Sequence, residues 1–436
     1  MVHGGSIFAR LPSMEIARAF RRRTFSSLSI RNYRLYFIGQ GISLSGTWMQ
    51  TVAQGLLVLH LTGSGTKLGL VTALNTLPVL LLGPWGGVIA DRLPKRMILF
   101  ATQSAAGLLG ITVGVLVTGG WMQLWMVYVA ALLLGLIKVF DNPTRQTFVR
   151  EMVGGEHLAN AISLNSMEIN LARVIGPSIA GILAATVGLG PCFLFDGVSY
   201  GAVVIMLAMM RTEDLLPAPR VPRAKGQLVA GLRYVRGNPT LLNVLLMMTI
   251  IGTLTYEFSV SLPLLAEFTF HSGAGGYATL TAAMGVGAAI GGIYTAGRGG
   301  GSARKLAISS CCFGVSVLLV AAAPSLILAA VAMVVVGFFS INFTSLGNVT
   351  LQMESSPEMQ GRVMALWVTA FLGTTPIGGP IVGWIGENAG ARLALLIGGL
   401  AGIAAAGLGL VAARKSEARA ASLVSATGPL THSARD

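Results

Sequence analysis

Apolar stretches of roughly bilayer width, separated by short charged or glycine-rich breaks, run almost the whole length of the chain. No Asp, Glu, Lys or Arg falls between Arg34 and Lys67 or between Lys67 and Asp91, and none for 41 residues from Met97 up to Lys138, where the only break is Gly119-Gly120-Trp121. An α-helix rises about 1.5 Å per residue and needs about 20 apolar residues to cross a hydrocarbon core of about 30 Å. These gaps therefore predict spans one to four. Ala159–Val187 and Gly190–Met210 read as spans five and six, and the second half adds Thr240–Ala266, Tyr277–Gly297, Leu306–Ala323, Leu326–Thr350, Val363–Ile385 and Leu393–Ala413. The expected fold is an all-α membrane protein of twelve transmembrane helices.

Composition agrees with that pattern. The 436 residues are 53% hydrophobic and 11% charged, against about 25% charged in soluble domains, and no polar stretch is long enough to enclose a soluble core. Lys and Arg are retained on the cytoplasmic side of a membrane during insertion. With both termini inside, only Lys67 and Arg392 fall outside and Lys138 and Arg173 within spans; the other basic residues lie on inner segments. The net charge of +14 thus records topology in the cell membrane and calls for no nucleic-acid partner. The basic arm is suited to contact with anionic lipid. The first 33 residues lack the apolar core and cleavage site of a secretory signal. Cys192, Cys311 and Cys312 are spaced as packing residues, not as a disulfide framework.

The two halves look related. Gly86-Gly87, ahead of Asp91-Arg92, has a counterpart 205 residues later in Gly291-Gly292 ahead of Arg298, and Gly176-Pro177 recurs 203 residues later as Gly379-Pro380. Two anchors at nearly one offset indicate a duplicated six-span unit, a plan found among transporters. The expected organisation is a cytoplasmic arm at 1–33, a six-helix half at 34–210, a cytoplasmic connection at 211–239, a second half at 240–413 and a cytoplasmic tail at 414–436.

The stretch Gly87-x-x-x-Asp91-Arg92-x-x-Lys95-Arg96 resembles the loop 2–3 signature of the major facilitator superfamily, with Pro94 where that family usually has glycine. The resemblance implies that Gly87 allows close helix packing and that Asp91, Arg92, Lys95 and Arg96 form a gating charge cluster. A purely topogenic loop would account for the three bases but not for Asp91. The segment FDNPTRQTFVREMV, Phe140 to Val153, and the following Leu158 to Gly181 resemble the enterobactin-exporter-like branch, often described as transmembrane secretion effectors. Gly176, Pro177 and Gly181 also resemble a helix-packing motif of drug–proton antiporters, with Ala172 and Ala180 in place of two glycines. Small residues and proline serve close interhelical packing in any case.

Polar positions repeat at helical spacing inside several spans. Gln40, Ser43, Thr47, Gln50 and Gln54 share one face of span one; Thr249, Thr253, Glu257 and Ser261 share one in span seven, and Ser340, Thr344, Asn348 and Gln352 one in span ten. A polar stripe in lipid must face protein or water. The resemblance implies that spans one, four, seven and ten line a central cavity, which makes Gln40, Thr47, Gln50, Gln54, Thr253 and Asn348 cavity or substrate candidates. Trp48 and Tyr256 would add aromatic surface there, unless they serve packing or lipid contact. Buried charge within the membrane is costly and usually functional, so Glu257, Glu168 and Arg173 are candidates for proton coupling. A structural ion pair between Arg173 and an acid is the competing reading.

The functional expectation is a secondary active transporter: a proton-coupled exporter of amphipathic organic compounds, of drug or siderophore type, acting as a monomer by alternating access. Its partners would be a small organic substrate, protons and lipid. A nutrient importer or uniporter of the same fold, or a non-transporting receptor or assembly factor, is the alternative. An enzyme is not expected. No two of the five histidines form a metal-binding pair, no G-x-x-x-x-G-K-[ST] phosphate loop occurs, and neither cofactor nor metal is called for.

Overall fold

The computed structural model describes residues 26–216, 227–296, 302–356 and 358–426. Helices account for nearly all of these residues, and no strand occurs among them. Eleven helices are long and apolar enough to cross a membrane. Arg31–Thr62 completes the set of twelve: its 32 residues extend about 48 Å, and the polar stripe is what lowers its apolarity. Spans two to six are Gly65–Arg92, Lys95–Thr118, Leu124–Val153, Leu158–Thr186 and Gly190–Met209. Spans seven to twelve are Pro239–Thr269, Gly273–Ala296, Ala303–Ala322, Leu326–Glu354, Gln360–Asn388 and Ala391–Ala426.

Spans seven and eleven are interrupted. Span seven is helical over Pro239–Leu254, opens through Thr255, Tyr256 and Glu257, resumes over Phe258–Leu264 and ends in a π turn, Leu265–Thr269. The Thr255 hydroxyl ties the break to span twelve, donating to the Gly398 carbonyl at 2.7 Å. Span eleven breaks at Gly373-Thr374, just ahead of Pro376 in the first turn of its second segment, where proline's fixed φ suits a helix start. Pro177 lies inside span five and has no N–H, which leaves the Arg173 carbonyl without an intrahelical donor.

Spans one to six pack mainly on one another, as do spans seven to twelve. The two groups meet along two seams, span five against span eight and span two against span eleven. Glycine sets the spacing of both. A Cβ on Gly69 would sit 2.2 Å from the Gly379 carbonyl oxygen, and one on Gly383 would sit 2.2 Å from the Gly65 oxygen. At the other seam a Cβ on Gly181 would meet Ala278 at 2.6 Å. Lipid gives helices no hydrophobic drive to associate, so such close van der Waals contact is what binds the groups. The outward faces remain apolar: Ile293 is 78% exposed and Ile327 76%. Trp121, Trp125 and Trp384 are also exposed and gather at the end opposite the basic connections, as interfacial tryptophans do.

Two elements extend the sequence-based plan. An amphipathic helix, Gln227–Gly237, forms within the connection between the halves, and its Tyr234 hydroxyl accepts from the Ser356 amide at 3.1 Å. The helix of span twelve continues to Ala426, into the segment expected to be tail. Of the N-terminal arm, the Ser27 amide and hydroxyl donate to Asn160 at 3.0 and 2.6 Å, tying the chain's entry to span five.

Candidate substrate cavity and buried charge network

A cavity of about 640 Å³ lies between the two groups of helices, within the range of small-molecule sites. Span one contributes Trp48 and Thr51, span five Arg173, span seven Tyr256, Phe258 and Ser259, span ten Ser340, Thr344 and Asn348, and span eleven Trp367 and Phe371. The break in span seven puts Tyr256 in this wall, where its hydroxyl lies 2.9 Å from both the carbonyl and the hydroxyl of Ser340. Its ring packs against Phe371 with centroids 5.1 Å apart. Arg173 stacks on Trp48, its guanidinium carbon 4.9 Å from the ring centroid. Both aromatic candidates therefore belong to the cavity.

The cavity candidates divide differently from the expectation. Asn348 lines the wall and accepts a hydrogen bond from Gln352. The stripe on span one turns instead into the first six-helix group. Gln40 is buried and accepts from Arg145 of span four at 2.8 Å, Thr47 lies 3.4 Å from the Tyr200 hydroxyl, and Gln50 and Gln54 line a small crevice among spans one, three, four and six. Thr253 donates to the Thr249 carbonyl at 2.6 Å, and its own carbonyl oxygen would be 2.0 Å from a Cβ on Gly378 of span eleven. Its stripe thus packs on span eleven, not on the cavity. The correction has a physical reason: a polar helical face in lipid is satisfied equally by water or by a buried partner. Periodicity does not distinguish the two.

What the stripe of span one faces is a charge network. Asp141 accepts from Thr102 at 2.9 Å, from Gln103 at 2.7 Å and from Arg145 in an ion pair one helical turn along. Lys138 donates to Asn75 of span two at 2.7 Å and lies within electrostatic reach of Asp141, Arg145 and Asp196. Asp196 itself is 1% exposed. The Asp141–Arg145 spacing of four residues was visible in the sequence; its partners on spans one and three were not.

Among the described residues the ion pairs are Arg145–Asp141 and Lys95–Glu151. The ion pair proposed for Arg173 is therefore not formed. Glu168 is buried, with Oε1 lacking a hydrogen-bond partner and 2.8 Å from where a Cβ on Gly41 would stand. Glu257 is 2% exposed and follows cavity-lining Tyr256, but its carboxylate turns to span eleven, where Oε1 would be 3.0 Å from a Cβ on Gly378. That Oε1 also lacks a hydrogen-bond partner.

Near the inner end of span two, Gly87 is buried, and a Cβ on its neighbour Gly86 would stand 2.1 Å from the Val139 carbonyl oxygen. The Asp91 side chain lies outside the described positions. Arg92 is exposed. Lys95 pairs with Glu151 of span four at 2.5 Å, and Arg96 donates to the Leu207 and Ala208 carbonyls of span six at 2.8 and 3.2 Å. These bases therefore bind within the first six-helix group. Glu151 was not singled out by sequence. Gly176 packs on Trp48 and the Ser45 carbonyl of span one, and Gly379 with Pro380 on Gly69.

At the end opposite the basic connections the groups are fastened together. Glu387 of span eleven accepts from the Ser64 hydroxyl at 2.7 Å, the Thr66 amide at 2.9 Å and the Thr66 hydroxyl at 2.5 Å. Gly55 adds contact there with Pro263 of span seven.

Residues 22–432 match the family model of transmembrane secretion effectors. The chain belongs to that family. Family membership places it in the major facilitator superfamily, as a multi-pass membrane transporter. It is 26% identical over 361 residues to the enterobactin exporter EntS of Shigella boydii serotype 18 (strain CDC 3083-94 / BS512), which covers 81% of this chain and 85% of that protein. The EntS of Shigella flexneri is 25% identical over 360 residues, with the same shares covered. Among solved structures, a bacterial homologue of the human lysosomal transporter Spinster, in an inward-facing and unoccupied conformation, aligns with a TM-score of 0.67 at 15% identity. It covers 90% of this chain and 97% of its own. The nucleoside transporter NupG aligns at 0.66 and 13% identity, covering 88% and 98%. These likenesses establish the fold of this secretion effector.

Proposed function

We propose that this family member is a proton-coupled exporter of amphipathic organic compounds, of siderophore or drug type, working as a monomer by alternating access in the inner membrane with both termini in the cytoplasm. The observation that carries the reading is the cavity between the two helix groups, walled by aromatic and hydroxyl side chains and bounded at one end by the Glu387 fastening. Relatives named as enterobactin exporters support the direction and the substrate type. With the basic connections inside, the state described is open inward and sealed outward. The organisation is two six-helix halves, 34–210 and 240–413, moving about the seams.

Glu257 is the first candidate for the coupling proton. It sits at the break of span seven between cavity-lining Tyr256 and Phe258, so a shift of span seven on span eleven would change its surroundings. Glu168 is the second. The junction of spans two and three, with Gly87, Asp91, Arg92, Lys95 and Arg96, acts as the inner gate, exchanging contacts within the first half for contacts across the halves. The test is substrate accumulation in proteoliposomes holding the purified chain, with and without an imposed pH gradient. Accumulation that follows the gradient is expected. Flux that runs downhill at the same rate whatever the gradient would make the protein a uniporter, and no flux above empty vesicles would leave the receptor or assembly reading.

A further inference from the structure

The cavity has a sign. Among the described residues lining it, Arg173 is the one formally charged group; the rest are aromatic, aliphatic, hydroxyl or amide side chains. The acids nearest in sequence turn elsewhere, Glu257 into the packing against Gly378 and Glu168 towards Gly41. No hydrogen bond or ion pair to Arg173 is formed among the described residues, and its Nε is buried without a partner. One face of the guanidinium is covered by Trp48, with its carbon 4.9 Å from the ring centroid, and the side chain borders the open volume.

An arginine without a counter-anion at membrane depth is expensive. A guanidinium edge is also the group best shaped to take two oxygens of a carboxylate, sulfonate or phosphate at once. Around it, the rings of Trp48, Tyr256, Tyr277, Trp367 and Phe371 share the wall and suit a flat aromatic body. The geometry points to an organic anion carrying an aromatic ring as the transported class, its acidic group on Arg173 and its ring between the aromatic walls, with organic cations excluded by the same charge. This inference rests on the cavity being the transport site. It goes further in assigning the ligand's charge and making Arg173 the residue that determines it.

Three probes of one size separate the possibilities: naphthalene-2-sulfonate, which is anionic at all working pH values, naphthalene-2-sulfonamide, which is neutral, and N-methylquinolinium, a fixed cation. Binding of each is measured by equilibrium dialysis against the purified full-length chain in lipid nanodiscs. The sulfonate should bind at least tenfold more tightly than the quinolinium. Arg173→Gln should weaken the sulfonate at least tenfold while leaving the sulfonamide within about twofold, and Arg173→Lys should keep the order of preference. Arg173→Glu should reverse it.

Equal or tighter binding of the cation to the wild type overturns the inference and needs no variant to do so. Loss of all three probes together in Arg173→Gln would mean that the arginine holds the wall and does not choose the charge, which also overturns it. If the wild type binds none of the three, the cavity is not a ligand site, and the transport assignment falls with the inference. Binding without charge preference sinks the inference alone.

Discussion

Thr66 and Glu387 stand 321 residues apart, yet the amide and hydroxyl of Thr66 both donate to Glu387 Oε2, at 2.9 and 2.5 Å. Thr66 is in the first turn of span two, where free backbone amides favour an anion, and Glu387 closes span eleven. With the Ser64 hydroxyl, these hydrogen bonds cross between the two helix groups.

Removing that acceptor should loosen the seal. The site is exposed, so Glu387→Ala should cost the sealed state about 1 kcal/mol, or about fivefold in the balance between states. The measure is labelling of a cysteine at cavity-lining Ser259 by an impermeant thiol reagent added on the Glu387 side. It should speed up several-fold in the Glu387→Ala background. An unchanged rate would mean that the glycine seam alone holds this end shut.

The seam itself makes a sharper demand. A Cβ on Gly69 would meet the Gly379 carbonyl at 2.2 Å and the Pro380 Cα at 2.8 Å, all backbone, so no rotamer relieves it. Gly69→Ala should wedge spans two and eleven apart and abolish most transport with normal insertion. Gly83→Ala, where a Cβ has nothing within 4 Å, is the control and should transport as wild type. Similar flux in both variants would refute the close-approach argument.

Asp141 gathers three donors from spans three and four. Asp141→Ala strands Arg145, and breaking a buried pair from one side typically costs about 3–5 kcal/mol. Much of the variant should aggregate in detergent, with an unfolding midpoint well below wild type by tryptophan fluorescence, whereas Asp141→Asn should fall between the two. A wild-type midpoint for Asp141→Ala would assign the network no structural weight.

Glu257→Gln preserves shape and hydrogen bonding but cannot carry a proton. If Glu257 couples transport, the variant should exchange substrate downhill and fail to accumulate it against an imposed pH gradient. Accumulation at the wild-type rate would transfer the role to Glu168, for which Glu168→Gln is the same experiment.

The orientation is open to direct labelling. A cysteine at Ser272, in the connection before span eight, should react with an impermeant reagent applied outside intact cells, and one at Ser302, before span nine, should not. The reverse pattern would invert the whole topology.

Much of the fold is legible in the chain because crossing a bilayer is a local property. A run of about 20 residues either carries charge or does not, so residues such as Lys67, Asp91 and Lys138 mark span ends or depths without reference to their neighbours. The repeated Gly-Pro pairs likewise announced close packing, and each lies in a seam or a tight crossing: Gly176 on span one, Gly379 on span two. Trp48 and Tyr256 were visible as aromatic candidates for the cavity they line.

By itself, then, the sequence determined the number and approximate placement of the spans, since hydropathy acts along the chain. Only the tertiary structure decided which face of each helix meets the cavity and which meets a buried partner. Gln40 and Asn348 look alike as polar residues on a helical stripe, but Gln40 accepts from Arg145 inside the first helix group, whereas Asn348 borders the open volume. Glu387 reads as an isolated acid until folding carries Ser64 and Thr66 to it. A polar group withdrawn from water must find a partner, and its identity is set by contacts between residues far apart in the chain, which no local pattern encodes.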